Sequence, residues 1–204
     1  MRFLPAGYSG LLVECDDLAQ VMALHHTLER ARPRGVVDLV PAARTLLLTF
    51  DASTSHARLS DVVATTDLDT GTTATDDREV TIEVTYDGAD LAHVAELTGI
   101  PEDDVVRRHQ ARRYVVAFTG FAPGFGYLAG GDPALVVPRR TTPRTRVPAG
   151  AVALAGEFTG VYPGAGPGGW QLIGRTDAPL WDLHRDLPAL LTPGTRVRFA
   201  QVGP

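Results

Sequence analysis

Apolar and polar positions follow one rhythm in the first third of the chain and another beyond it. Leu18, Val21, Leu24 and Leu28 recur at helical spacing behind Asp16 and Asp17, which suit an N-cap, and Pro33 with Gly35 closes the run. The spacing predicts a helix over Leu18–Ala31. Short apolar runs at 10–15, 35–41 and 45–50 read as strands, the last two joined by a turn at 42–44, and 55–66 reads as a second helix. A strand, helix, strand, strand, helix order with helices covering one face predicts a small ferredoxin-like α+β layer.

The stretch 67–78, DLDTGTTATDDR, is polar, carries glycine and has no apolar periodicity, so it reads as a linker. Two domains are therefore expected, 1–77 and 78–204. Beyond the linker, 79–86 alternates cleanly, with Val80, Ile82, Val84 and Tyr86 on one side. Two short helices follow, 91–97 closed by Gly99 and 101–109 with Pro101 at a first helical position. Their spacing resembles a helix-turn-helix, but Glu102, Asp103 and Asp104 in the turn would repel phosphates. From Arg113 onward β-like runs at 114–119, 136–137, 151–155, 170–174 and 195–202 are separated by Gly/Pro-rich loops. That pattern predicts a closed or nearly closed β-barrel whose loops carry the function.

Composition narrows the classes. The net charge of −5 supplies no basic footprint for nucleic acid or an anionic membrane. No apolar run approaches the roughly 20 residues that span a bilayer, and the start has no signal-peptide pattern, so a cytoplasmic protein is expected. The single cysteine, Cys15, excludes an internal disulfide and reads as a buried structural thiol. All 19 basic residues are arginine. Without lysine the chain has no P-loop lysine, no Schiff-base lysine and no biotin-carrying lysine.

Chemistry concentrates in the barrel half. Arg139, Arg140, Arg144 and Arg146 fall on a proline-stiffened segment, and guanidinium forks bind carboxylate or phosphate bidentately. The same arginines read equally as solvent-facing ion-pair partners; Arg140 and Arg144 are the preferred site pair. Glycines at 120–126 and 166–169 let backbone amides approach a ligand, or simply turn the chain between strands. His109 ends a short helix just before a strand, where it reads either as a rim acid/base or as a structural histidine. His25 and His26 are adjacent on one helix and the other histidines are isolated, so no metal site is expected. No Ser-His-Asp or Cys-His arrangement is readable, so part of any catalytic site must come from a partner.

The ordered series GFAPGFGYL at 120–128, PRRTTPRTRVPAG at 138–150, Tyr162-Pro163 and PGGWQLIGRT at 167–176 resembles the B-type component of bacterial 5-oxoprolinase, a family also called allophanate hydrolase subunit 1 or KipI. The resemblance implies a ferredoxin-like N-terminal domain followed by a cyclophilin-like β-barrel. It implies an ATP-consuming enzyme that opens 5-oxo-L-proline to L-glutamate. Its partners would be an allophanate hydrolase subunit 2 (KipA-type) protein and a LamB/YcsF-type protein, with a small anionic substrate. With the residue reading, it places catalysis at His109 and Arg144, and substrate or anion binding at Arg139, Arg140, Gly124, Phe125, Tyr127, Tyr162, Gly168, Gly169 and Trp170. Phe158 stands where many members carry Gln, and Gly166 where a Ser commonly precedes the Pro-Gly-Gly-Trp motif. Two other roles belong to the same resemblance: inhibition of a sensor histidine kinase, and partnership in a urea carboxylase or allophanate hydrolase-type enzyme.

Overall fold

The computed structural model describes residues 1–68 and 78–203. The chain divides into two compact units, Met1–Ala74 and Thr75–Pro204. The linker expected at 67–78 lies, over 69–77, outside the described residues.

The first unit runs β1 (Arg2–Pro5), β2 (Gly10–Glu14), α1 (Leu18–Ala31), β3 (Val36–Pro41), β4 (Thr45–Phe50) and α2 (His56–Ala64). Helix α1 starts where the Asp17 carboxylate accepts the Gln20 amide at 2.8 Å and ends where Arg32 turns left-handed (φ 45°) ahead of Pro33. The sheet order is β1-β2-β4-β3 with every pair antiparallel. Strands β2 and β3 are thus parallel with β4 between them, a split β-α-β unit. Register places Leu11 opposite Leu48 and Val13 opposite Leu46, so one face collects Leu11, Val13, Leu46, Leu48 and Phe50. Val21, Leu24 and Leu28 of α1 and Leu59 and Val63 of α2 cover that face. Cys15 joins this core, and burial pushes its thiol up from the ordinary value. Strand β1 is an addition to the elements that the sequence pattern predicts; it lies as an edge strand on β2, with Phe3 packed against the core.

The second unit runs β5 (Glu79–Val84), α3 (Leu91–Thr98), α4 (Glu102–Gln110), β6 (Tyr114–Thr119), β7 (Gly126–Ala129), β8 (Arg144–Val147), β9 (Ala151–Ala155), β10 (Phe158–Val161), β11 (Gly166–Gly168), β12 (Gln171–Arg175) and β13 (Arg196–Gln201). Seven strands form one sheet in the order β12-β9-β10-β7-β6-β13-β5, and β8 and β11 form a separate pair. Thr85 and Arg175 exchange backbone hydrogen bonds, both 2.9 Å, and so tie the end of β5 to β12. The result is a nearly closed barrel, as the pattern predicts. Its interior is filled by Val84, Val116, Leu128, Val152, Val161, Ile173 and Val197, with Val94 of α3 and Val105 of α4 in the same core. The strand expected at 136–137 does not form: Val137 makes one isolated bridge to Gly156, and Val136 is 54% exposed. Among the described residues no helix is long and apolar enough to cross a membrane.

Candidate functional site

The motif segments that lie far apart in sequence are stitched together by backbone. Strand β8 pairs with β11, which sets Arg144 opposite Gly168. The Arg140 amide donates to the Gly169 carbonyl at 2.7 Å, and Gln171 Nε2 donates to the Pro138 carbonyl at 3.0 Å. The arginine segment is therefore fixed along the Pro-Gly-Gly-Trp loop. A Cβ at Gly168 would collide with the Tyr162 hydroxyl, which explains glycine there on steric grounds.

Beside this seam stands an aromatic cluster. The Phe125 ring meets Tyr127, Trp170 and Tyr162 edge-on at centroid distances of 5.1, 5.4 and 5.5 Å. Gly160 gives the cluster its room, since a Cβ there would lie 2.7 Å from the Phe125 ring and 2.9 Å from that of Trp170. Phe121, in the same loop as Gly124, is 59% exposed and left-handed (φ 67°), with its ring edge against Phe125 and Tyr162. A non-glycine residue held in that conformation costs of order 1 kcal/mol. Burial pushes the Tyr127 and Tyr162 phenols up, against the pull of the Arg139 charge, and the Trp170 amide bonds the Tyr162 oxygen. Phe158 packs edge-on against Tyr127 and Phe118 and extends the apolar wall.

The arginine pair Arg140 and Arg144 does come together, on a residue that sequence reasoning misses. Asp90 is 3% exposed. Its carboxylate accepts Arg140 Nη1, Arg144 Nη1 and Arg144 Nη2, all at 2.8 Å, and the Leu172 amide at 2.7 Å. Burial pushes its pKa up, but the Arg144 bonds, the Leu172 amide and the two guanidinium charges outweigh burial, and the net shift is downward. Asp90 precedes α3, where an aspartate ordinarily reads as an N-cap, yet its side chain makes no capping bond. Arg139 is exposed, with its guanidinium over Gly169, and makes no ion pair among the described residues.

His109 lies elsewhere. Its side chain is fully buried inside the barrel and not at a rim. Nδ1 is 2.7 Å from the Tyr86 hydroxyl, Nε2 is 3.4 Å from Thr159 Oγ1, and the ring is 4.4 Å from that of Phe199. Tyr114 donates its hydroxyl to the His109 carbonyl at 3.0 Å. Burial lowers the imidazole pKa to about 3, so it is neutral at physiological pH. No hydrogen bond or ring contact among the described residues joins it to the arginine segment. Also among the described residues, no group of three or more His, Cys, Asp or Glu is placed to hold a metal ion.

Similarity to known proteins extends over both units. The family described as carboxyltransferase domain, subdomain C and D, matches residues 1–191. The B component of the 5-oxoprolinase of Escherichia coli O157:H7 is 53% identical over 125 residues, 60% of this chain and 57% of that protein. Across the curated 5-oxoprolinase relatives the matched part is 53 to 61% of their length, so the chain spans little more than half of each. Among solved structures, TTHA0988 superposes with a TM-score of 0.75 at 41% identity over 96% of this chain and 40% of its own. The Kluyveromyces lactis urea carboxylase superposes with a TM-score of 0.74 at 20% identity over 98% of this chain and 22% of its own, which shows a shared fold.

Proposed function

The chain belongs to the carboxyltransferase domain, subdomain C and D family, and from its similarity to the B components of 5-oxoprolinases we propose that it is a non-autonomous subunit of such an enzyme. In this reading the assembled enzyme opens 5-oxo-L-proline to L-glutamate with ATP hydrolysis. An allophanate hydrolase subunit 2 (KipA-type) protein is the partner, and a LamB/YcsF-type protein is the third component. The N-terminal unit is read as ferredoxin-like and the barrel as cyclophilin-like.

One observation carries the proposal: the Asp90-bound pair Arg140 and Arg144 adjoins the aromatic cluster of Phe125, Tyr127, Tyr162 and Trp170 along one backbone seam. A cationic grip beside an aromatic wall suits a small ring that bears a carboxylate. Opening a lactam requires that its resonance-stabilised carbonyl be activated, and ATP supplies that by phosphorylating the carbonyl oxygen. Water then adds to the carbon, the C–N bond breaks as the nitrogen takes a proton, and the resulting acyl phosphate is hydrolysed by a second water to L-glutamate and inorganic phosphate. This chain contributes binding and orientation. The buried, neutral His109 supports the barrel from within, and water activation falls to the partners.

The test is 5-oxoproline-dependent ATP hydrolysis by the chain co-expressed with its partner subunits. Turnover is expected from the assembly and negligible turnover from the chain alone. A robust rate from the isolated chain, or none from the intact assembly, overturns the reading.

A further inference from the structure

Asp90 decides how much positive charge the arginine segment presents to the outside. Its carboxylate is enclosed and takes four hydrogen bonds, three of them from guanidinium groups. Two cations on one anion leave one positive charge in excess, and Arg139 next in sequence adds a second. The held arginines are not sealed off: the Arg140 and Arg144 side chains are 32% and 23% exposed. Arg144 spends both terminal nitrogens on Asp90, whereas Arg140 engages it through Nη1 alone and keeps Nη2 for another acceptor. A guanidinium already fixed in this way loses little rotamer entropy when it grips a ligand.

We infer that Asp90 is the positioning residue of an anion site in which Arg140, with Arg139 beside it, grips a carboxylate or phosphate group, Arg144 serving as the anchor that orients the carboxylate. The choice of anion, substrate carboxylate or nucleotide phosphate, rests on the functional reading above; the binding itself does not. Asp90 touches no ligand and acts through Arg140.

The experiment uses the full chain without partners. Arginine side-chain N–H resonances are followed by NMR while three probes are titrated separately: 5-oxo-L-proline, 2-pyrrolidinone, which is the same ring without the carboxylate, and inorganic phosphate. Saturable shifts of the Arg140 and Arg139 signals are expected with at least one anion and none with 2-pyrrolidinone. Asp90→Asn keeps the shape but frees the arginines, and Arg140→Gln removes the grip while Arg144 still holds the Asp90 carboxylate through two bonds. Each should weaken binding about ten-fold or more. A merely structural Asp90 would lower the melting temperature and leave the affinity of the folded protein unchanged. Binding of 5-oxo-L-proline supports a substrate-carboxylate site, and binding of phosphate alone supports a phosphate site. Absence of saturable binding by either anion, or an affinity in either variant equal to or above that of wild type, overturns the inference. Phosphate binding in a protein whose assembly shows no 5-oxoproline turnover would sink the functional reading and leave this one standing.

Discussion

His109 and Asp90 are both polar, both almost wholly enclosed and both in the barrel unit, but the barrel satisfies them in opposite ways. His109 sits among rings and hydroxyls, Tyr86, Tyr114, Thr159 and Phe199, and stays neutral because nothing nearby rewards its charge. Asp90 stays ionised because two guanidinium groups and an amide surround it. The neutral centre is closed on all sides, whereas the charged one reaches partly exposed side chains. Burial alone thus does not mark a functional site; a buried charge that leads outward is the better guide.

Replacing Asp90 by Ala should sharpen the contrast most. It strands two arginines and the Leu172 amide, and about 3 kcal/mol of stability should go, near the low end for a broken buried pair because the arginines keep some water. Urea denaturation measures it, and a loss under about 1 kcal/mol would mean that the ion pair is worth no more than a surface one.

Acid should act on the two centres in sequence. His109 titrates at an ordinary value of about 6.5 when unfolded and at about 3 when folded. The unfolded chain therefore binds the proton first, and stability falls by about 1.4 kcal/mol per pH unit as pH drops from about 6.5 toward 3. At pH 4.5 the loss is about 2 to 3 kcal/mol, and His109→Gln should remove that slope. Asp90, with its folded value depressed, contributes fully above the ordinary carboxylate value and is lost only as pH falls below it. Equal slopes for wild type and His109→Gln between about pH 6.5 and 4.5 would break the distinction.

Gly160→Ala drives a methyl into the Phe125 and Trp170 rings, and about 1 to 2 kcal/mol should be lost with a change in tryptophan fluorescence. The smallest stability effect belongs to Arg139→Gln, within about 0.5 kcal/mol, since the side chain is exposed and makes no ion pair among the described residues. If its melting temperature fell as far as that of Asp90→Ala, Arg139 would belong with the held arginines.

Legibility in the sequence tracks how local each signal is. Helix α1 can be read to its ends because its cap, apolar stripe and breaker lie within one short stretch. Strand β1 cannot, since Arg2–Pro5 is a four-residue edge strand defined by its pairing to β2. Val136 and Val137 carry strand-like side chains but find no ladder. The arginines stand out as a cluster because they are neighbours in sequence. Asp90 does not, because Arg140 and Arg144 are 50 and 54 residues away and its own surroundings look like a helix cap. His109 is visible as a candidate, but its enclosure depends on Tyr86 and Thr159, 23 and 50 residues distant.

The parallel pairing of β5 with β13 sets a constraint on how the protein is made. Glu79 lies opposite Arg196, so 117 residues separate the partners. At a synthesis rate of about 5 to 20 residues per second, β5 waits roughly 6 to 23 s for its neighbour to be translated. Through that interval a nascent strand with Val80, Ile82 and Val84 along one side has an open edge, the kind of segment that recruits chaperones or foreign strands. Closure of so long a loop also raises contact order, so barrel completion is expected to limit the folding rate.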